Sequence, residues 1–183
     1  MNAKVDITNT VLETPRLILR PWETSDIDDF FEYAKVPGVG EMAGWPHHTS
    51  KDTSKMVMES FIEGKNVFAI EHKESKKVIG SFGIHNSWAS SDQQFEGKTC
   101  AELGYVLSKD FWGQGLMPEA AKRVIEFCFD SLDIDILTIG HFTDNLQSKR
   151  VIEKCGFTFH SFGKYYSRQL KKEFDEMKYI MYK

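Results

Sequence analysis

Phe111-Trp112-Gly113-Gln114-Gly115-Leu116-Met117-Pro118-Glu119-Ala120 sets a two-glycine loop between an apolar strand and a strong helix start. Upstream, Ala101-Glu102-Leu103-Gly104-Tyr105-Val106-Leu107 reads as a strand. Downstream, Ala121, Val124, Ile125, Cys128 and Leu132 recur at helical spacing, and Pro118 suits the first helical position, where its missing N–H has no intrahelical partner to lose. Gly113 and Gly115 allow positive φ and close backbone approach, so successive N–H groups and the positive end of the helix can converge on a phosphate. The plainer reading is an ordinary glycine turn joining strand to helix.

Exclusion narrows the phosphate ligand. A nucleoside-triphosphate loop needs Gly-Lys-Ser/Thr at the helix entrance, and here Gly115 is followed by Leu116 and Met117. A dinucleotide fingerprint needs a third glycine where this chain has Pro118. What remains is a pyrophosphate held by backbone amides, without lysine or metal, as part of a coenzyme whose phosphates serve as a handle.

A second segment, Asp144-Asn145-Leu146-Gln147-Ser148-Lys149-Arg150-Val151-Ile152-Glu153-Lys154-Cys155-Gly156-Phe157, follows a strand read at Ile134 to Phe142 and has the form of a short capped helix ended by Gly156. The pair of motifs, in this order, resembles the GNAT superfamily of N-acetyltransferases, and more narrowly the branch containing the ribosomal-protein N-terminal alanine acetyltransferases. Thr14-Pro15-Arg16-Leu17-Ile18-Leu19-Arg20-Pro21 and Met42-Ala43-Gly44-Trp45-Pro46 are similar to that branch too, so the likeness spans nearly the whole chain.

The resemblance implies acetyl-CoA as co-substrate and transfer of its acetyl group to a primary amine, either a protein N-terminus or a small molecule. It implies pyrophosphate binding by the loop Trp112, Gly113, Gln114, Gly115, Leu116 and Met117. Two parallel strands would splay apart, with backbone groups around Val106 and Leu107 pairing to the pantetheine amides and Asn145 bonding the pantetheine arm. Helix capping is the equally natural reading of Asn145. Trp112 and Met117 depart from the commonest superfamily loop, which usually has arginine or glutamine at the first position and glycine or alanine at the second.

Acetyl transfer needs a base for the amine and stabilisation of the departing thiolate. Glu102 is the candidate base, because a carboxylate within an apolar strand is partly desolvated and its pKa rises toward the useful range. A structural carboxylate paired to a lysine or backbone amide is the alternative. Many superfamily members carry an acidic tyrosine where this chain has Ile152. Ser148, one helical turn earlier, is the substitute, with local bonding to the backbone as its commoner fate and Tyr165 or Tyr166 as weaker replacements. By analogy with the family, Trp45, His85 and Trp88 border the acceptor cleft, and Glu41 is a candidate partner for a cationic amine.

Composition sets the remaining bounds. At 183 residues the chain fits one domain, taken as residues 1–183. Its 41% hydrophobic and 27% charged residues are ordinary for a globular protein, and a net charge of −4 without clustered basic residues disfavours a nucleic-acid surface. No run reaches the roughly eighteen apolar residues of a membrane span, and Met1 to Asp6 lack the apolar core of a leader, which points to the cytoplasm. Cys100, Cys128 and Cys155 are widely spaced and form neither a disulfide framework nor a zinc motif. His47 and His48 are adjacent and cannot share a helix face as a metal pair, so no metal is expected. A monomer or a homodimer is expected.

The rest of the chain supplies a strand at Arg16 to Pro21, a helix entered through Ser25 and Asp28, a loop at Val36 to Pro46, and a helix capped by Thr49 or Ser50. A hairpin joins Asn66–Glu71 to Lys77–His85, a polar loop fills Ser87 to Gly97, and two strands close the chain near Phe157–Tyr165 and Phe174–Tyr182. The order implies a mixed α/β fold, and the resemblance implies a mostly antiparallel twisted sheet with one splayed parallel pair, flanked by helices. Ala101 to Phe142 would form its right-handed crossover, with ligands beyond the carboxyl ends of the strands. Two functions compete: an acetyl-CoA-dependent N-acetyltransferase, and a catalytically silent coenzyme-A-binding regulatory module that has lost the tyrosine at Ile152.

Overall fold

The alternating segments become strands because each can turn one row of side chains to either face. In the computed structural model, which describes residues 1–183, the strands are β1 (Leu12–Glu13), β2 (Leu17–Arg20), β3 (Val67–His72), β4 (Lys77–His85), β5 (Cys100–Leu107), β6 (Ile136–Phe142), β7 (Thr158–Ser167) and β8 (Lys172–Tyr182). The helices are α1 (Ile27–Ala34), α2 (Lys51–Gly64), α3 (Leu116–Asp130) and α4 (Leu146–Lys154). All eight strands form one sheet in the order β1-β2-β3-β4-β5-β6-β8-β7, in which only β5 and β6 run parallel. The expected mixed architecture is therefore present.

The sheet is covered on both faces. Phe68, Phe82, Ile84, Leu103 and Ile139 pack with Leu116, Ala120, Val124 and Cys128 of α3 and Ile152 of α4. On the opposite face Val67, Ala69 and Val78 pack with Phe30, Tyr33 and Ala34 of α1 and Met58 of α2. This two-sided burial explains why Val67 to Ile70 is a continuous apolar run.

The parallel pair positions the site. β5 and β6 stay in register from Cys100↔Ile136 to Leu103↔Ile139, and their pairing ends there although the strands continue to Leu107 and Phe142. Beyond Leu103 they part, leaving a gap. On its other side β5 remains paired with β4 as far as Gly80↔Leu107. The Ser108 N–H donates to the Ile79 carbonyl at 2.7 Å, and the alternation of an antiparallel ladder then turns the backbone groups of Val106 toward β4 and those of Tyr105 and Leu107 toward the gap. In the stretch around Val106 and Leu107, the gap-facing backbone groups are thus those of Tyr105 and Leu107, while those of Val106 face β4.

Several local expectations are corrected. α3 begins at Leu116, so Pro118 is its third residue; no N–H in the first turn has an intrahelical acceptor, and proline is tolerated there equally well. Ser25 and Asp28 do not cap α1. Glu23 and Asp26 form a capping box around a short 3₁₀ turn instead, and Asp26 is held by Arg20 at 2.9 Å. Ser50, rather than Thr49, caps α2 by accepting the Thr53 N–H. The polar stretch from Ser87 contains two 3₁₀ turns that bury Ala89 and Phe95, and β1 was not anticipated.

Candidate active site

The glycine loop has the backbone its sequence requires. Gly113 and Gly115 both sit at φ +76°, and Gly115 is the N-cap of α3. Nothing lies within 4 Å of a Cβ placed on Gly113, so backbone conformation and not crowding demands glycine there. Trp112 anchors the loop by donating its indole N–H to the Leu107 carbonyl at 2.8 Å. That carbonyl is one of the gap-facing groups, so it is already taken. Gln114 turns its amide back to the Asp110 carbonyl and stands outside the cavity. Leu116 and Met117 bury their side chains in the core while their N–H groups open the first turn of α3. Arg16, remote in sequence, donates to the Gln114 carbonyl at 2.9 Å and pairs with Glu119 at 2.7 Å. Glu119 also accepts the Thr14 hydroxyl and the Arg16 N–H. Burial would lift its pKa, but these donors outweigh it and hold the carboxylate below its ordinary value.

At the entrance of α4 the Asn145 side chain accepts the Ser148 N–H at 3.1 Å and donates to the Met42 carbonyl at 3.4 Å. Its capping role is therefore realised, and Asn145 also lines the cavity. Ser148 Oγ lies 2.9 Å from the phenol of Tyr105, which reaches across from β5. Burial pushes the Tyr105 phenol well above its ordinary range, against the opposing pull of Ser148. Ile152 is fully buried beneath the helix and offers nothing to the cavity.

Glu102 stands opposite His85 on β4 and Thr138 on β6, all on the face of the sheet that bears α1 and α2. The Thr138 hydroxyl donates to Glu102 at 3.2 Å, and the Ser87 hydroxyl lies 2.8 Å from that of Thr138. Burial raises the Glu102 pKa, the neighbouring Glu176 carboxylate raises it further, and Thr138, Lys178 and the Trp88 N–H pull against them without reversing the shift. Glu176 is likewise raised by burial, opposed by Lys178. Its side chain is 14% exposed, and its one ionic partner is Lys178 at 3.9 Å. Gly83 and Gly140 leave the floor open beside these groups: a Cβ on the first would collide with the His85 ring, and on the second with the Glu176 carboxylate. His85 borders the cavity, and the protein packed around it lowers its pKa by desolvation.

These groups line one continuous cavity of about 920 Å³, which reaches from Gly113 and Gly115 past Tyr105 and Ser148 to Glu102, His85 and Glu176. Trp45 and Tyr165 border it as well. Glu41 and Trp88 do not. Glu41 closes its own loop, accepting the Gly38 and His47 N–H groups and lying 2.8 Å from the His47 ring. Burial works against its charge, yet these donors hold its pKa at about 2. Trp88 stacks on His160 at 4.8 Å, beneath Lys178. Tyr166 is exposed and also lies outside the cavity.

The family model for an acetyltransferase (GNAT) domain matches residues 16–158, which include the glycine loop, both parted strands and α4. The chain is a GNAT acetyltransferase. It is similar to a Bacillus licheniformis protein named uncharacterized N-acetyltransferase p20, at 30% identity over 151 residues, covering 80% of this chain and 81% of that protein. In fold it matches a GNAT-family acetyltransferase from Bacillus anthracis with a TM-score of 0.82 at 18% identity, over 94% of this chain and 98% of the other. It also matches the microcin C7 self-immunity acetyltransferase MccE, solved in complex with acetyl-CoA and AMP, with a TM-score of 0.75 at 20% identity over 93% and 94% of the two chains.

Acetyl-CoA is the co-substrate of this family, and the acetyltransferase has the features it needs: a loop of positive-φ glycines, a first helical turn with unsatisfied N–H groups, and gap-facing strand backbone. Three further residues of the cavity and its loop carry little signal in the sequence. Arg16 lay within the quoted Thr14–Pro21 run without a role assigned. Tyr105 alternates with Leu103 and Leu107, so its polar tip on the α3 and α4 side was the available signal. Glu176 sits among charged neighbours in β8, and nothing local distinguishes it. None of the helices is long and apolar enough to cross a membrane.

Proposed function

We propose that this acetyltransferase moves the acetyl group of acetyl-CoA directly to a primary amine, of a protein N-terminus or a small molecule, with Glu102 as general base and Ser148 as hydrogen-bond donor to the departing sulfur. The observation that carries this reading is the position of Glu102 at the point where β5 and β6 part, desolvated and lifted in pKa, in the same cavity as Ser148. A carboxylate of raised pKa is a better base for an ammonium than an ordinary one, because its Brønsted strength rises while it stays ionised above that pKa. Gly113, Gly115, Leu116 and Met117 hold the pyrophosphate by their N–H groups, and the Tyr105 backbone with the Leu107 N–H supplies the edge for pantetheine, the Leu107 carbonyl being held by Trp112.

The acceptor enters from the α1 and α2 side. Phe30, Trp45, Val57 and Phe61 give this end an apolar wall, while Glu102 and Glu176 give it negative charge. That chemistry favours an amine entering as a cation on an apolar body and disfavours an anionic acceptor. The three unpaired thiols, two buried and one half-buried, suit a reducing cytoplasmic setting.

Release of free thiol from acetyl-CoA, measured across alkylamines, arylalkylamines and N-terminal peptides, tests the proposal. Turnover on at least one amine is expected; tight acetyl-CoA binding with no turnover on any would instead establish the silent coenzyme-binding module.

A further inference from the structure

We propose that Tyr105 is a positioning residue that aims the Ser148 hydroxyl at the coenzyme sulfur, an inference that rests on the role given to Ser148 above. A serine in the first turn of a helix has one proton, and its ordinary use is a bond to nearby backbone. Ser148 is different because a second hydroxyl meets it: Tyr105 Oη lies 2.9 Å from Ser148 Oγ and 3.4 Å from the Ser148 carbonyl.

Either oxygen of the shorter contact can donate, and aiming the serine requires Tyr105 to be the donor. Tyr105 is enclosed between β5 and α4, and burial keeps its phenol protonated far above neutral pH. Its nearest acceptors are both on Ser148, and in the proposed arrangement Tyr105 donates to Ser148 Oγ across the shorter contact. The serine proton is then left free to point elsewhere, and both residues line the cavity. Two O–H dipoles in series donate more strongly than one, since each bond polarises the next.

Neither proton is transferred. The lone pair of the deprotonated amine nitrogen forms the new bond to the acyl carbon; as the acyl carbon–sulfur bond breaks, its electron pair goes to sulfur, and the Ser148 and Tyr105 O–H bonds stay intact while their dipoles stabilise the negative charge. The amine proton goes to Glu102, and the released thiolate takes its own proton from water. Tyr105 thus occupies, from a strand and through an intermediary, the region that a tyrosine on α4 would reach directly if Ile152 were not committed to the core.

The test is a double-mutant cycle in single-turnover rate, with acetyl-CoA affinity by calorimetry and melting temperature measured on the same proteins. Tyr105→Phe removes one oxygen and should slow the acetyl-transfer step roughly tenfold, the loss of one charge-assisted hydrogen bond's support, with acetyl-CoA affinity unchanged. In a Ser148→Ala background Tyr105→Phe should have no further effect on rate. Equal slowing in both backgrounds, or no slowing in either, overturns the inference while leaving Ser148 in place. An unaltered rate in Ser148→Ala alone overturns the Ser148 reading itself, and the inference with it. Replacing Tyr105 with 3-fluorotyrosine preserves shape and strengthens the donor, so a rate at or above that of the parent is expected, and a tenfold fall would count against the inference even if Tyr105→Phe folded poorly.

Discussion

Arg16 and Glu119 meet at 2.7 Å although they lie more than a hundred positions apart, and their contact joins the approach to β2 to the first turn of α3. Arg16 also holds the Gln114 carbonyl, and a Cβ on Gly115 would fall 3.7 Å from its Nη2. The guanidinium therefore braces the loop and places a positive charge beside the proposed pyrophosphate site. Arg16→Ala should weaken acetyl-CoA binding by roughly three- to tenfold, with a stability loss near or below 1 kcal/mol because the pair is partly exposed. Calorimetric titration at low and high salt checks this. Unchanged affinity would leave Arg16 a purely structural clamp.

Gly115→Val should abolish measurable acetyl-CoA binding or weaken it by orders of magnitude. The N-cap φ of +76° is strained for a β-branched residue, so the loop must rearrange and its N–H groups lose their convergence. Gly97, also at positive φ but away from the cavity, is the matching control: Gly97→Val should affect stability without affecting affinity. Equal affinity in a folded Gly115→Val variant would return the loop to an ordinary turn.

The glycine loop, the helical spacing after it and the apolar alternation of the central strands were legible because each is a local pattern with one dominant period. β1 has two residues and carries no such period. Ser148 and Glu102 could be named as candidates from position in a motif and a strand, but their partners could not. Tyr105 reaches Ser148 only because β5 parts from β6, and Glu176 approaches Glu102 only through the antiparallel turn of β8 onto β6. Glu41 and Trp88 lie off the cavity for the same reason in reverse: their loops fold their polar and aromatic groups onto His47 and His160, contacts that spacing alone does not specify.

Glu102→Gln should lower kcat by about 10²- to 10⁴-fold near neutral pH, with a smaller loss at high pH where the amine deprotonates without help. The same substitution should stabilise the fold. The folded pKa of Glu102 lies above its unfolded value, so protonation favours the native state: that contribution is fully present below the unfolded pKa and is lost as pH rises through the folded pKa. A neutral glutamine avoids the loss, and the melting temperature of the variant at pH 7 to 8 should exceed that of the parent. Equal loss of activity at every pH, together with a lowered melting temperature, would assign Glu102 a structural role.

The last prediction separates the two carboxylates at the acceptor end. Glu176 has no short hydrogen-bond partner and lines the same cavity as Glu102, so under the proposed mechanism it is available to the ammonium of an entering amine while Glu102 acts as base. Glu176→Gln should raise KM for the amine about tenfold or more, the usual worth of a charge-assisted contact, with acetyl-CoA affinity unchanged. It should also move the acid limb of the kcat/KM profile to lower pH. The negative charge of Glu176 contributes to lifting the Glu102 pKa, so neutralising it lowers that pKa and keeps the base ionised further into the acid range. Steady-state kinetics from pH 5 to 9 read both effects in one series. A raised KM with an unmoved acid limb would show that Glu176 binds the amine without influencing the base, and an unchanged KM would remove it from acceptor recognition.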